Sequence, residues 1–569
     1  MNCKMNRKFY GVLLAALFLT LAFLTSCSSS SHTTPPPPPP PTTTNYAFYM
    51  SGQDGLPAGS DNINYYALAG AVTIDASGNV TGGEQDYNDA NGTTSPEPGG
   101  DSITGGTLTV DSTSGQGTLT LITNNSALGA SGTETLAVQF VNANHALVSQ
   151  FDGSATSSGS LDLQTLGGTP SGGFAFTMAG VDPGYNPVAI GGVFTIGGAS
   201  TDEVDLNDAG TVTLAQALTV SLGTPDAFGR GVLTSSVEYG STGILLNYYV
   251  IGPEAIRIID VDQVDAAVGS AFGQGTNASA GANTSLVASI IGISSGAGGY
   301  GFDYAVAGQI TPDSTPTPAT YSGVAEEVEL ETFVSSQASA VVGSYSIAVN
   351  GYGNLTIGGF GGGDVSALQV YATDPTLNLN DPNNTSADVG GALLLDADDV
   401  LAGGIGVVVP QTDTASADFN GNYAAGWQDF NTFLGGDCDG CEFDMVAQGT
   451  MAAGGALSLN AEISDPFQTL NAGGTTGPGT FTGTPTPDAT NPGRLSMLST
   501  DAAPGGALTS TIGSASPSFD VIMYQASAST LFWIEYDENS VFFGPIEAQG
   551  SLTGIPAVAR PAKTQAKHK

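Results

Sequence analysis

The stretch GFAFTMAGVD at residues 173–182 decides the fold class, because its large apolar side chains recur at every second position. Phe174, Phe176 and Met178 alternate with small or polar residues, which is the period of a β-strand. We expect these three side chains to point inward and the alternate set to face solvent. Long helical periodicity is missing from the whole chain. The sequence therefore predicts an all-β protein.

The same stretch recurs along the chain. NYAFYMSGQD at residues 45–54 matches it at a constant offset of 128 residues, and SLVASIIG at 285–292 and NYAAGWQD at 422–429 are weaker copies. Each copy precedes a glycine-centred run and then a G-x-G-x-L-like run, whose leucines are Leu119, Leu233, Leu355 and Leu495. This repetition predicts four tandem β-domains, at residues 45–167, 168–277, 278–415 and 416–555.

Each domain is predicted to contain about eight antiparallel strands. Repeat 2 shows them as short runs near residues 173–180, 187–196, 201–206, 211–222, 229–236, 243–251, 255–261 and 268–274. Short links favour an up-and-down meander, which closes into a small barrel at this strand number. Two-sheet sandwiches are the alternative. In size and strand order the units resemble lipocalin-type and avidin-type barrels, a resemblance of architecture that carries no function.

The amino-terminal region predicts export. Residues 1–26 combine a basic start at 4–8 with an apolar run over 10–24, which is too short for the roughly 20 residues that span a membrane. The stretch LTSC that ends at Cys27 resembles the lipobox of bacterial lipoproteins. That resemblance implies cleavage of the signal peptide before Cys27 and attachment of fatty acyl chains such as palmitate to its thiol.

The residue after the cysteine bears on the destination. It is Ser28, whereas an aspartate there marks retention in the inner membrane in this family. The resemblance thus implies a lipid anchor in the outer membrane or at the cell surface. Residues 27–44 follow as a stalk in which Pro35–Pro41 predict a stiff polyproline II rod. The tandem β-rich units that come next also resemble those of uncharacterised bacterial lipoproteins.

The charge is strongly acidic, with 52 Asp and Glu against 10 Lys and Arg, for a net charge of -42. Between Cys27 and Ala559 the only bases are the arginines Arg230, Arg257 and Arg494. Nucleic-acid binding requires clusters of cations, so this composition excludes it. The other bases of the mature chain fall in residues 556–569, which we predict to be a disordered basic tail.

Two cysteines remain after Cys3 leaves with the signal peptide and Cys27 is acylated. Cys438 and Cys441 lie in GGDCDGCEFD, in a compartment that permits disulfides. We favour a small structural disulfide between them. Zinc or redox roles are less favoured, because no histidine lies near and the adjacent acids oppose a low thiol pKa.

We predict no catalytic residues and no enzymatic activity. The mature chain contains only the histidines His32, His145 and His568. GISSG at residues 292–296 matches the G-x-S-x-G nucleophile pattern but is followed by a glycine-rich strand and not by a helix. A carboxylate pair that hydrolyses glycans stays open as the least favoured alternative.

We predict no cofactor, with calcium, which prefers oxygen ligands, as the alternative that the acidic loops suggest. The candidate ligands follow the third strand of repeats 1 and 2 and are Asp86, Asn88, Asp89, Asp205, Asn207 and Asp208. Neither loop has the EF-hand pattern. Turn capping by the same side chains is the alternative.

Adjacent tyrosines supply candidate binding residues. In Tyr65-Tyr66 and Tyr248-Tyr249 one ring of each pair points inward and the other outward on a strand. We favour ordinary exposed strand tyrosines, with stacking of Tyr66 and Tyr249 on a sugar or a protein partner as the alternative.

The sequence thus favours a non-enzymatic surface lipoprotein for adhesion, envelope structure or extracellular binding. Its expected partners are membrane lipid, through Cys27, and a glycan or envelope protein. The alternative is capture of a small ligand inside the barrels.

Overall fold

The computed structural model describes residues 43–55, 63–89, 93–94, 100–125, 131–151, 155–182, 186–199, 201–239, 242–262, 266–276, 284–294, 303–329, 333–334, 339–358, 366–386, 389–398, 401–431, 441–464, 477–501, 518–535 and 540–559. All regular elements in these ranges are β-strands. Within the same ranges, no helix has the length and apolar character needed to cross a membrane. The predicted signal peptide, Cys27 and most of the stalk lie outside the described residues.

Sheet 1 is built from the first repeat. It contains β1 (Thr43–Gly55), β2 (Ile63–Asp75), β3 (Val80–Asp89), β4 (Thr93–Thr94), β5 (Asp101–Val110), β6 (Gln116–Thr123), β7 (Thr133–Asn142), β8 (His145–Gln150), β9 (Ala155–Leu163) and β37 (Val558–Ala559). The strand order is β37-β5-β6-β7-β8-β9-β1-β2-β3-β4, and a further pairing of β3 with β5 closes the sheet on itself.

Sheet 2 is built from the second repeat. It contains β10 (Gly173–Val181), β11 (Pro187–Thr195), β12 (Glu203–Asp208), β13 (Thr211–Ala217), β14 (Val220–Leu222), β15 (Arg230–Tyr239), β16 (Thr242–Gly252), β17 (Ala255–Asp260) and β18 (Ala266–Gly273). The order is β13-β12-β11-β10-β18-β17-β16-β15-β14, and within the described ranges no ladder joins its outer strands β13 and β14.

Sheet 3 is built from the third repeat. It contains β19 (Leu286–Ser294), β20 (Asp303–Asp313), β21 (Ala319–Glu329), β22 (Phe333–Val334), β23 (Ser339–Ile347), β24 (Tyr352–Thr356), β25 (Ala367–Ala372), β26 (Ala392–Asp396) and β27 (Leu401–Pro410). The order is β20-β19-β27-β26-β25-β24-β23-β21-β22, with β20 and β21 also paired.

Sheet 4 is built from the fourth repeat. It contains β28 (Gly421–Asn431), β29 (Cys441–Met451), β30 (Leu457–Ser464), β31 (Gly477–Gly483), β32 (Thr486–Pro487), β33 (Arg494–Asp501), β34 (Ser518–Gln525), β35 (Thr530–Glu535) and β36 (Ser540–Ala548). The order is β31-β30-β29-β28-β36-β35-β34-β33-β32, with β31 and β33 also paired.

All four sheets share one topology. Apart from β37, strands that are neighbours in a sheet pair antiparallel, and the first main strand pairs with the last, as β1–β9, β10–β18, β19–β27 and β28–β36. This is the strand order of an up-and-down barrel and not of a two-sheet sandwich. The predicted all-β fold of four antiparallel meanders is confirmed.

Each sheet encloses its own apolar interior. In sheet 2, Phe174, Phe176 and Met178 point into it as predicted. In sheet 4 the ring of Trp427 lies 4.7 Å from that of Trp533 and 5.0 Å from that of Phe481. Both tryptophans are therefore interior residues.

The opposite faces of many strands are also buried, which corrects the expectation that they face solvent. Ala175 is 0% exposed and Thr177 4% exposed, although both alternate with the inward set of β10. A second apolar cluster unites such outer positions from all four sheets, including Ala47, Ala175 and Ala307. The sheets pack against one another through these outer positions, which carry both small and aromatic side chains, so their inner strands are buried on both faces.

One glutamine per sheet marks the order of packing. Each follows the last main strand and donates from Nε2 to a backbone carbonyl of another sheet: Gln164 to Val250 at 2.7 Å, Gln274 to Ala372 at 3.0 Å, Gln411 to Gln525 at 2.9 Å, and Gln549 to Phe140 at 2.8 Å. The first three bonds join each sheet to the next one. The fourth joins sheet 4 to sheet 1, so the contacts form a closed cycle.

The residues after Gln549 also return to sheet 1. Leu552 and Ile555 pack against its interior cluster, and β37 pairs in parallel with Thr109–Val110 of β5. The start of the segment predicted as a disordered tail is thus part of the first sheet.

Candidate functional site

The predicted calcium ligand Asp86 lies at the interface between sheets 1 and 2. Its carboxylate accepts hydrogen bonds from Arg230 Nε at 2.8 Å and Nη2 at 2.7 Å, and from the hydroxyl of Tyr249 at 2.8 Å. Arg230 and Tyr249 are directly opposite each other on β15 and β16. The bidentate geometry is that of a strong charge-assisted contact.

Equivalent contacts occur at the next two interfaces. Asp205 accepts from the hydroxyls of Tyr352 at 2.8 Å and Tyr371 at 2.7 Å. Glu326 binds Arg494, at 2.7 Å from its Nε, and also accepts from the Tyr524 hydroxyl. In each case the acid belongs to one sheet and its partners to the next.

The G-x-G-x-L-like runs position these partners. Gly229, Gly351 and Gly493 have φ values of 84°, 81° and 96°, which glycine adopts without strain. The residue after each of them, Arg230, Tyr352 or Arg494, reaches the acid of the preceding sheet. The sequence shows these runs as part of the repeat but does not predict the contact made by the residue that follows each glycine.

The other candidate calcium ligands are placed as follows. Asn88 donates to the Asp260 carbonyl at 3.0 Å, and Asn207 donates to that of Asp396 at 3.1 Å. Asp89 is buried and Asp208 half-buried on their strands. Within the ranges given above, no group of three or more His, Cys, Asp and Glu side chains is arranged to hold a metal ion. Calcium binding by these residues stays a prediction.

The candidate tyrosines are interior residues, which corrects their placement at the surface. Tyr66 is 1% exposed and donates to Gln150 Oε1 inside sheet 1, and Tyr249 is 0% exposed at the interface with Asp86. The outward face of a strand is not a surface here because another sheet covers it. Cys438 and the Cys441 side chain lie outside the described residues, so their disulfide stays a prediction.

A cavity of about 340 Å³ lies where the four sheets meet. Most of its wall is apolar and aromatic, with Tyr49, Phe272, Phe532 and Phe543 among the lining residues. The polar side chains that line it include His145, Ser160, Arg257, Ser270 and Glu547. We take this central cavity as the candidate functional site.

The charged groups of the cavity come from three sheets. Arg257 of sheet 2 donates from Nη2 to Asp162 Oδ2 of sheet 1 at 2.6 Å, and from Nη1 to Ser270. His145 Nδ1 lies 2.8 Å from Asp162 Oδ1, and its Nε2 lies 3.5 Å from Glu547 Oε1 of sheet 4. The Arg257 guanidinium also stacks 4.2 Å above the ring of Tyr49.

This cluster fixes the protonation of its members. Burial alone would raise the pKa of Asp162, but the charges of Arg257 and His145 hold it at about 2. Burial likewise opposes the charged form of His145, yet the hydrogen bond to Asp162 and the nearby Glu547 keep the His145 pKa well above 6.5. The His145 cation therefore faces the Asp162 carboxylate at neutral pH.

The geometry differs from that of a serine hydrolase. Ser160 donates to Asp162 Oδ2 at 2.6 Å, while His145 contacts the other oxygen of the same carboxylate. The hydroxyl and the imidazole thus bind Asp162 from different sides, whereas a nucleophilic serine must bind the histidine. The cluster can orient a bound molecule, but it lacks an activated nucleophile.

A segment of sheet 3 forms part of the cavity wall. Residues 373–391 connect β25 to β26 and bring Leu379 and Asn380 to the cavity. In the same segment Asp381 accepts from Asn142 Nδ2 of sheet 1 at 2.8 Å. Sheets 1 and 3, which are not neighbours in the cycle, are joined by this contact.

Sequence reasoning missed the cluster, although a signal was present. Arg230, Arg257 and Arg494 are the only bases between Cys27 and Ala559, and each binds a carboxylate of another sheet. Isolated cations in so acidic a chain mark positions where carboxylates are buried. The scarcity of arginines had served only to exclude nucleic-acid binding.

Comparisons with known proteins add little to this geometry. No protein-family model matches the chain, and no curated protein matches it. A crystal structure of a mutant of transferrin-binding protein B from Haemophilus parasuis has 10% identity over 73% of this chain and 86% of that chain, with a TM-score of 0.19. A double mutant of that protein has 11% identity over 72% and 84%, with a TM-score of 0.16. Similarity at this level supports no inference about function.

Proposed function

We propose that the mature protein is an exported, lipid-anchored, non-enzymatic binding protein that holds a small organic ligand in the central cavity. The observation that carries the proposal is the cavity itself, about 340 Å³ in volume and bounded by all four sheets. Ligand sites are typically cavities of roughly 300 to 1,000 Å³ with mostly apolar walls and a few convergent polar groups. The central cavity matches that description.

One unpaired polar atom indicates the chemistry of the ligand. Arg257 Nε is buried without a hydrogen-bond partner, whereas His145 Nε2 and Glu547 Oε1 lie 3.5 Å apart as an ion pair. Buried polar groups are normally satisfied, so the Arg257 donor favours a ligand that offers an acceptor. The aromatic side chains around this donor favour a ligand with an apolar body.

Export and anchoring rest on residues 1–27. A mature amino terminus that begins at acylated Cys27, measured by mass spectrometry of the membrane-extracted protein, supports this part of the proposal. Release of the protein into the medium by Cys27→Ser is the expected result. An unmodified terminus elsewhere would contradict it.

Ligand binding is tested by filling the cavity. Ala179 is half-buried and lines it, so Ala179→Phe should exclude the ligand. Ala217 on β13 is exposed, and Ala217→Phe is the matched control. We expect mass spectrometry of molecules released on unfolding to find a compound with wild type and Ala217→Phe that is missing from Ala179→Phe. Equal profiles for the three proteins would contradict the proposal, as would turnover of polysaccharide by the wild type.

A further inference from the structure

Sheet 3 encloses a second cavity, of about 90 Å³, inside its own barrel. The cavity is lined by apolar side chains, glycines and two tyrosines, among them Leu286, Ala288, Val306, Tyr321 and Val370. Among the residues that the structure describes, no charged side chain contributes to the lining. It is separate from the central cavity, with which it shares no lining residue.

The amino-acid sequence explains why this barrel is hollow. At the middle inward position of the first strand, sheets 1 and 2 have Phe48 and Phe176, whereas sheet 3 has Ala288. Sheet 4 also has alanine there, Ala425, but the stacked rings around Trp427 fill the space.

The packing of sheet 3 differs accordingly. Its interior apolar residues fall into two clusters, one around Ile290 and one around Tyr321, whereas the interior of each other sheet forms one cluster in the described residues. A single apolar cluster per barrel is the usual result of close packing. The gap between the two clusters is where a further apolar group would complete the core.

We propose that the cavity in sheet 3 binds a small, uncharged, hydrocarbon-like molecule. A water molecule in a protein interior needs two to four polar partners, and this lining supplies almost none, since the Tyr321 hydroxyl is bound to the Thr356 carbonyl at 2.7 Å. A charged ligand would lose its hydration without compensation. An apolar molecule of roughly benzene size satisfies both conditions, as in engineered apolar cavities of about 150 Å³.

The lining is accessible from outside the barrel. Leu286, Tyr345, Ile347 and Leu355 are half-buried, whereas Ile290 and Leu394 are fully buried. The ligand therefore has an apolar entrance and a closed inner wall. This site is independent of the proposed ligand of the central cavity.

Benzene is the probe for the test, applied to the complete mature chain. We expect benzene to raise the thermal unfolding temperature in a saturable manner and to shift the methyl resonances of Ile290 and Leu394. Ala288→Phe restores the residue type of sheets 1 and 2, so it should weaken benzene binding by more than about tenfold. Ala217→Phe should leave binding unchanged.

The controls separate this site from the central cavity. Ala179→Phe should not alter the benzene response, and loss of the response in that variant would place benzene in the central cavity and overturn the inference. If Ala288→Phe fails to fold, the smaller Ala288→Leu replaces it and should weaken binding in the same direction. Absence of a saturable response in the wild type, or an equal response in the Ala288 variants, would also overturn it.

Discussion

Gln549 donates from Nε2 to the backbone carbonyl of Phe140 at 2.8 Å, although 409 residues separate them in the chain. The donors match, since Gln549 follows β36 as Gln164 follows β9. The acceptors also match, since Phe140 follows Gln139 on β7 as Val250 follows Tyr249 on β16. The contact between the last and first sheets is thus one more copy of the contact between consecutive sheets. A glutamine therefore makes the contact that closes the cycle, as a glutamine does at each of the other three interfaces between sheets.

Gln549→Ala should lower the free energy of unfolding by about 1 to 3 kcal/mol, because two carbonyls would lose a buried donor. These are the carbonyls of Phe140 and Ser114, at 2.8 and 2.7 Å. Urea denaturation measures the loss, and Gln164→Ala provides the matched comparison at the interface of sheets 1 and 2. Hydrogen exchange should accelerate in β7 of sheet 1 as well as in sheet 4. Acceleration confined to sheet 4 would contradict the closed cycle.

The pair formed by Asp86 and Arg230 predicts strong energetic coupling. Both are buried, so Asp86→Asn or Arg230→Met alone should lower the free energy of unfolding by about 3 to 5 kcal/mol, since each leaves an uncompensated group. The double variant should lose much less than the sum. Asp520→Asn, at an exposed position, should stay within about 0.5 kcal/mol of wild type. Additive losses in the cycle would show that the two side chains do not interact.

Stability should fall as the pH rises from about 5 to 9. Burial raises the pKa of Asp54 to about 6 and that of Asp444 to about 7, so the folded state holds protons that the unfolded state releases above about pH 4. His145, whose pKa is raised, adds stability below about pH 6.5 that is lost as the pH passes its folded value. All three groups act in the same direction.

Thermal unfolding at about pH 5, 7 and 9 measures this dependence, and Asp444→Asn should reduce the slope between about pH 4 and 7 because it removes the proton that titrates. Asp162, with its pKa lowered to about 2, has the opposite effect and loses its contribution only as the pH falls below about 4. A transition temperature that rises steadily with pH would contradict the burial of these carboxyls.

Calcium binding at the third-strand residues remains a prediction. The contact between Asp86 and Arg230 provides a specific test of it. A calcium ion at Asp86 must displace the guanidinium, so Arg230→Met should strengthen binding and Asp86→Asn should abolish it. Isothermal titration at millimolar calcium measures both. If neither the wild type nor Arg230→Met shows a heat of calcium binding, the hypothesis of a calcium site in repeat 1 is wrong.

The sequence predicts the individual strands well because their signal is local. The runs expected near residues 173–180 and 187–196 correspond to β10 and β11, which span Gly173–Val181 and Pro187–Thr195. The run expected at 211–222 is instead divided into β13 and β14. Within β13, Ala215 has a φ of 53° and its amide donates to Asp205 at 2.6 Å, where the register between β12 and β13 shifts. Such a side-chain contact leaves no mark in the alternation of apolar residues.

The central cavity is harder to predict because its residues have no local pattern. Asp162 and Arg257 are 95 residues apart and meet only when two outer faces pack together. The available signal was indirect, since Ala47 and Ala175 alternate with large aromatic residues where charged ones would be expected on a solvent-facing surface. In so acidic a chain, an outer face free of charge indicates a covered face.

The return of residues 549–559 to sheet 1 has a consequence for biogenesis. In the export proposed above, the first barrel is made long before these residues. Until they arrive, Thr109–Val110 of β5 lack their pairing with β37, and the contact between sheets 1 and 4 is not yet formed. The last step of folding then joins the part of the chain that is synthesised first to the part that is synthesised last. A translation product that stops before residue 549 would leave a strand edge of sheet 1 exposed, although sheet 1 is made first.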